Sequence, residues 1–151
     1  MLKHKSVYVS FLSLYCWLEK KKIKILSRFL YMINRVLFSN DIPPTVQFGE
    51  NLKLPHFGLG IVMHPRTIIG NNVTIYQNVT LGCRNKEGPP IIKDNCLIGA
   101  GACVLGDIIL EENVSVGSNA VVVKNVKKGK TVVGIPAYEI NKEGKNDNKD
   151  D

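Results

Sequence analysis

His56 is the side chain best suited to moving a proton near neutral pH. It stands in Leu54-Pro55-His56-Phe57-Gly58-Leu59-Gly60, where a proline and two glycines predict a tight loop. An imidazole there can take the proton of an attacking hydroxyl, and a nearby carboxylate would fix its tautomer and stabilise the imidazolium. Asp41, fifteen residues earlier, is the candidate carboxylate. The remaining histidines are His4 and His64, and the cysteines are Cys16, Cys83, Cys96 and Cys103. The cysteines form no C-x-x-C pair and no zinc-finger spacing, so no metal is expected and a reduced, cytoplasmic compartment is the simplest reading.

The elements that must position these groups follow from a six-residue period running from Ile42 to about Ala137. The first position of each hexad is apolar: Ile42, Phe48, Leu54, Met63, Ile69, Ile75, Leu81, Ile92, Ile98, Val104, Leu110, Val116, Val122 and Val133. The fifth positions are small, β-branched or otherwise uncharged: Val46, Leu52, Gly58, Thr67, Val73, Val79, Cys96, Ala102, Ile108, Val114, Ala120, Val126 and Ala137. Helices would need apolar spacings of three and four, and the many glycines would weaken them. Short strands joined by tight corners fit instead, and hexads of this kind predict a parallel β-helix in which each coil buries its inward residues by stacking on the next. The phase slips by three residues between Leu54 and Met63, and by five between Leu81 and Ile92 and between Val122 and Val133. The first insertion carries His56, and loops let into a regular scaffold are where chemistry tends to sit. The second contains Arg84-Asn85-Lys86-Glu87-Gly88-Pro89-Pro90, whose glycine and prolines predict an extended loop. Cys96, at a fifth position, reads as core filling, whereas Cys103 has no evident role.

The chain has 151 residues, 44% of them hydrophobic, which suits one repeat domain with attached segments. We divide it into an N-terminal helical segment (1–40), the β-helix (41–140) and a polar, charged tail (141–151) expected to be disordered. The net charge of +7 resides in residues 1–40, which hold eight Lys/Arg against one acid. The repeats are close to neutral, and no nucleic-acid partner is expected. Two helices are predicted, about Val7 to Glu19 and Ile25 to Phe38. The second gathers Ile25, Phe29, Met32, Ile33, Val36 and Leu37 on one face, with Lys24, Arg28 and Arg35 elsewhere. These helices are expected to cover the open first coil and help protomers associate; a basic amphipathic segment also allows peripheral contact with a membrane, at its inner face. The apolar run Val7 to Leu18 is too short to span a bilayer and leads into Glu19-Lys20-Lys21-Lys22 without a small-residue cleavage site, so neither export nor a transmembrane anchor is expected.

Five motifs occur in order: Asp41-Ile42-Pro43, Leu54 to Val62, Ile75-Tyr76-Gln77-Asn78-Val79-Thr80-Leu81-Gly82, Ile98-Gly99-Ala100-Gly101-Ala102, and Val133-Gly134-Ile135-Pro136-Ala137. With them, residues 25–140 resemble the hexapeptide-repeat acyltransferases, in the branch of serine acetyltransferase and its polysaccharide-biosynthesis relatives. The resemblance implies a left-handed parallel β-helix, a homotrimer with sites between subunits, and acetyl-CoA as co-substrate. It also implies a catalytic His56 with Asp41 as partner, whose fifteen-residue separation matches the family. With three hexads per coil the two fall on successive coils, whose strands lie about 4.8 Å apart, so a hydrogen bond between them is expected.

The implied reaction is direct acyl transfer, with His56 as base and backbone N–H groups stabilising the oxyanion. By the family pattern, CoA lies in an intersubunit groove near Cys83, Gly99, Ala100 and Ser118, with Lys124, Lys127, Lys128 and Lys130 as candidate phosphate contacts. Cys83 stands where relatives usually carry glycine, and no second histidine is evident to activate it as a nucleophile. The candidate acceptor-site residues are Pro55, Gly88, Pro89 and His64. Serine acetyltransferases carry an Asp before the catalytic His and an Arg-His pair in the large loop; here Pro55 and Gly88-Pro89 take those places. The expected acceptor is therefore a glycan, a sugar hydroxyl of a surface-polysaccharide precursor. Serine acetylation in cysteine biosynthesis is the alternative, and a non-catalytic β-helix scaffold is the alternative of another class.

Overall fold

The computed structural model describes residues 7–140. The predicted tail and His4 lie outside the described residues.

From Gln47 to Val133 the chain winds as strands of two or three residues, each turning one apolar side chain inward and pairing in parallel with its equivalent one coil on. Three sheets result. One holds Gln47–Phe48, Ile68–Ile69, Ile91–Ile92 and Ile109–Leu110; a second holds Val62–Met63, Thr80–Gly82, Cys103–Leu105 and Val121–Val122. The third holds Thr74–Ile75, Leu97–Ile98, Ser115–Val116 and Thr131–Val133, closed by Tyr138–Ile140 running antiparallel to Thr131–Val133. This is the expected parallel β-helix. Like residues stack along it: Leu81 on Val104, Val104 on Val122, and Ile75, Ile98 and Val116 in succession. Each aliphatic side chain so buried contributes about 1.5–3 kcal/mol.

The corners explain how strands this short can turn. Asn51, Asn72, Asn78, Asn95, Asn113 and Asn119 adopt left-handed backbone at φ of 54° to 61°, a conformation that asparagine tolerates better than other side chains. Cys96 is buried as core filling.

Register confirms two phase slips and corrects the third. Asp41 pairs with Val62, a separation three longer than the eighteen between Cys103 and Val121, and Ile69 pairs with Ile92, five longer. The last coil is instead shortened. Leu110 pairs with Val126 and Val116 with Val132, both separated by sixteen residues. Val126 therefore occupies a sheet position rather than a corner, and Val132, not Val133, points inward. Two adjacent valines make the inward choice degenerate to a hydropathy count; strand pairing resolves it.

Before the coil stand α1 (Val7–Lys20) and α2 (Lys24–Phe38). Helix α1 covers the first coil: Tyr8, Val9, Leu12, Tyr15 and Cys16 join the core that contains Ile42 and Val46, and the Tyr15 hydroxyl donates to the Ile42 carbonyl at 2.8 Å. Helix α2 departs from expectation by burying its polar side. Ser27 and Asn34 are fully buried, whereas Ile25 is 90% exposed, Val36 77% and Phe29 61%. Serine lets the helices approach, and its hydroxyl donates to the Tyr15 carbonyl at 2.8 Å. No helix among the described residues is long and apolar enough to cross a membrane.

Candidate active site

The His56 loop bridges the buried residues Leu54 and Ile61. It does so by an unusual backbone path. His56 has φ 55° and Phe57 φ 56°, followed by Gly58 at 65° and Gly60 at 67°. For an L-residue with a side chain, left-handed backbone costs roughly 1–2 kcal/mol, so two in succession require support from their surroundings. That support comes from the helices. The Tyr8 hydroxyl donates to Asn34 Oδ1 at 3.2 Å, Asn34 Nδ2 donates to Asn40 Oδ1 at 2.6 Å, and Asn40 Nδ2 donates to the Tyr8 oxygen at 2.7 Å. This closed ring of buried groups reaches the loop where Asn40 Nδ2 donates to the Phe57 carbonyl at 3.4 Å. Phe57 also stacks on Phe38 with ring centroids 5.7 Å apart, and meets Tyr8 edge-on at 6.1 Å. Burial pushes the Tyr8 pKa up to about 12, so its hydroxyl remains a donor at neutral pH.

Thus held, His56 lies at the edge of a groove of about 450 Å³, lined by Tyr76, Gln77, Leu97, Gly99, Ala100, Val116, Gly117 and Ser118. Four of the residues singled out from sequence, His56, Gly99, Ala100 and Ser118, meet there. Gly99 has a packing reason to be glycine: a Cβ would lie 2.6 Å from the Ser118 backbone nitrogen on the next coil. Tyr76 and Gln77 belong to a motif visible in the sequence but carried no assignment. Gln77 Oε1 is buried without a hydrogen-bond partner among the described residues, leaving an acceptor available at the groove. Among the described residues, no Asp, Glu, Lys or Arg side chain lines the groove.

Asp41 is placed differently from expectation. Its backbone is held beside the loop, through Asp41 N–H to the Ile61 carbonyl at 2.7 Å, but no hydrogen bond or ion pair joins its carboxylate to His56 among the described residues. Tyr31 donates its hydroxyl to Asp41 Oδ1, and Arg35 Nη2 lies 3.7 Å from Oδ2. Helix α2 thus supplies the partners of the Asp41 carboxylate. Burial, then the hydrogen bond to Asp41, pushes Tyr31 up to about 12 and keeps it a donor.

The other sequence candidates lie outside the groove lining. His64 is a corner residue whose Nδ1 accepts the Arg66 backbone N–H at 3.1 Å. Cys83 is an exposed free thiol at the start of the large loop. Gly88 stands against Asp107, where an added Cβ would lie 3.2 Å from Oδ1, and Pro89 is buried at the end of the loop. Pro55 is half-buried ahead of His56. Lys124, Lys127 and Lys128 are exposed on the shortened last coil; the Lys128 backbone N–H donates to Glu111 Oε2 at 2.8 Å, and Lys130 pairs with Glu139 at 3.1 Å. No cluster among the described residues has the side chains to hold a metal ion.

A stacked coil of hexads with a histidine loop at its edge defines a class, and residues 89–124 match the family model described as bacterial transferase hexapeptide (six repeats). The fold is that of a hexapeptide-repeat coil, and the chain is similar in sequence and structure to serine acetyltransferases. It is 44% identical over 131 residues to a serine acetyltransferase of Staphylococcus xylosus, covering 85% of this chain and 60% of the relative. It is 42% identical to one from Staphylococcus aureus, covering 84% and 61%. Among solved structures, the serine acetyltransferase of Neisseria gonorrhoeae aligns with a TM-score of 0.82 at 35% identity, covering 89% of this chain and 53% of the other. That of Brucella abortus, solved in complex with coenzyme A, aligns at 0.83 and 33% identity, covering 87% and 54%. The chain spans about 60% of the length of the curated relatives it matches.

Proposed function

We propose that this chain is an acetyl-CoA-dependent serine O-acetyltransferase. The observation that carries the reading is His56 standing, with neither imidazole nitrogen engaged among the described residues, at the mouth of a groove in a fold aligned with serine acetyltransferases. In this reading His56 removes the proton of the serine hydroxyl as its oxygen attacks the thioester carbonyl carbon. Collapse of the tetrahedral intermediate breaks the C–S bond, and the departing CoA thiolate receives the proton from the imidazolium. The small residues Gly99, Ala100, Gly117 and Ser118 in the lining leave room for a pantetheine arm, and Gln77 Oε1 is available to accept one of its amide N–H groups. Asp41, held by Tyr31 and Arg35, contributes negative charge near the loop and would orient His56 if the loop tightens around substrates. A homotrimer, with a neighbouring coil completing the groove, is part of the same proposal.

The sugar hydroxyl expected from the sequence becomes the second reading, because the relatives named above are serine acetyltransferases. What favours it is the uncharged groove together with Pro55 and Gly88-Pro89, which offer a zwitterionic amino acid no charge partner from this chain. The two are separated by supplying purified protein with acetyl-CoA and either L-serine or a polysaccharide repeat-unit precursor. Saturable thiol release with serine supports the proposal. Release at background with serine, and a base-labile acetyl ester on the glycan, would replace it with the second reading.

A further inference from the structure

The outward face of α2 presents a continuous run of exposed apolar side chains. Ile25, Phe29, Met32 and Val36 follow spacings of four, three and four, forming a ridge on the side opposite the buried Ser27 and Asn34. Phe29, Met32, Val36 and Leu37 also line a shallow apolar depression. The helix is about 22 Å long, and α1 satisfies its inner side, so the apolar ridge is free to lie against a flat surface without unfolding. Around its start the exposed residues Lys20, Lys21, Lys22, Lys24 and Arg28 fall within nine residues, from the end of α1 into the second turn of α2, while α1 and α2 together contain a single acid, Glu19.

From these features we propose that α2 docks in plane on an anionic lipid bilayer. A ridge of large apolar groups beside a cluster of cations is the pattern of an interfacial helix, with apolar burial and attraction to anionic headgroups acting together. Charge argues against a second copy of the same face: a symmetric contact would bring two cationic turns together with one acid on each side to answer them. The surface is independent of the His56 site and of the reaction proposed for it.

The test uses the full chain in co-sedimentation with vesicles of phosphatidylglycerol and phosphatidylcholine, against phosphatidylcholine alone. The protein should bind the anionic vesicles and release as salt is raised. Lys20→Gln, Lys21→Gln and Lys22→Gln together should weaken partitioning on the order of 10²-fold. Phe29→Glu with Val36→Glu should abolish binding while circular dichroism and oligomeric state stay as in the parent. Absence of binding to anionic vesicles, or binding untouched by Phe29→Glu and Val36→Glu, would overturn the proposal. So would dissociation of an oligomer by that pair in light scattering, which would assign the ridge to a second copy of the chain.

Discussion

The coil and the junction between the helices and the His56 loop bury opposite things. Inside the coil are stacked aliphatic side chains such as Leu81, Val104 and Ile98, each fully buried on its counterpart one turn away. Between the helices and the His56 loop lie Tyr8, Asn34 and Asn40, joined hydrogen bond to hydrogen bond, while Ile25, Val36 and Leu37 of α2 are exposed. Apolar stacking is non-directional and tolerant, and it builds a stiff scaffold. A closed polar ring is directional and fixes one geometry, which is what a strained loop carrying the proposed base needs. The contrast assigns stability to the coil and positioning to the helix pair.

The largest effect expected from breaking that contrast is in the coil. Leu81→Ala, at a fully buried position, should destabilise the protein by about 2–5 kcal/mol, read as a lower urea midpoint. Any turnover that remains should be close to normal in the folded fraction.

In the polar ring, Asn34→Leu strands the Tyr8 hydroxyl and the Asn40 side chain, and should cost about 1–3 kcal/mol. Its signature is in kinetics. Because the ring holds the His56 loop, kcat should fall about 10- to 10²-fold while KM for acetyl-CoA holds, as expected for a misplaced catalytic group. Loss of stability without that split would reduce the ring to a structural role.

Alkaline pH should separate the two regions without mutation. Tyr8 and Tyr31, ordinarily near 10.0, are pushed to about 12, and Cys16, ordinarily near 9.0, also to about 12, in each case chiefly by burial; burial raises Tyr15 as well. A raised pKa means that the folded state holds its proton longer than the unfolded chain. The stabilisation is thus complete below about pH 9 and is lost as pH climbs toward about 12. In the coil only Cys96 is shifted in this direction, and by burial. Hydrogen exchange should show the helices opening first over that range; simultaneous opening of the coil would contradict the division.

The smallest effect belongs to the ridge of α2. Ile25→Gln should change stability by less than about 0.5 kcal/mol, since Ile25 is 90% exposed, although it removes as much apolar surface as many core substitutions.

The same contrast explains what was legible in the sequence. Apolar periodicity reveals a stack of aliphatic residues directly, so the hexads located the coil, the His56 insertion and the large loop. It failed at Val132 and Val133, where both candidates are apolar and only pairing with Val116 decides. It also gave the limits of both helices to within a residue. The orientation of α2 was hidden, because an amphipathic pattern identifies an apolar face without saying that Ser27 and Asn34 find better partners inside. The partners that the Asp41 carboxylate has in the structure were hidden for a related reason. Spacing places two residues on neighbouring coils but is silent about Tyr31 and Arg35 arriving from a helix. Gln77 passed unnoticed because an unpartnered buried oxygen is a property of packing.

The proposed acetyl transfer depends on His56 as its base, and the most direct measurement is the initial rate of CoA thiol release from acetyl-CoA and L-serine for the parent protein and His56→Ala. The predicted result is a loss of about 10²- to 10⁴-fold in turnover with acetyl-CoA affinity nearly unchanged. Turnover in His56→Ala close to that of the parent would contradict it.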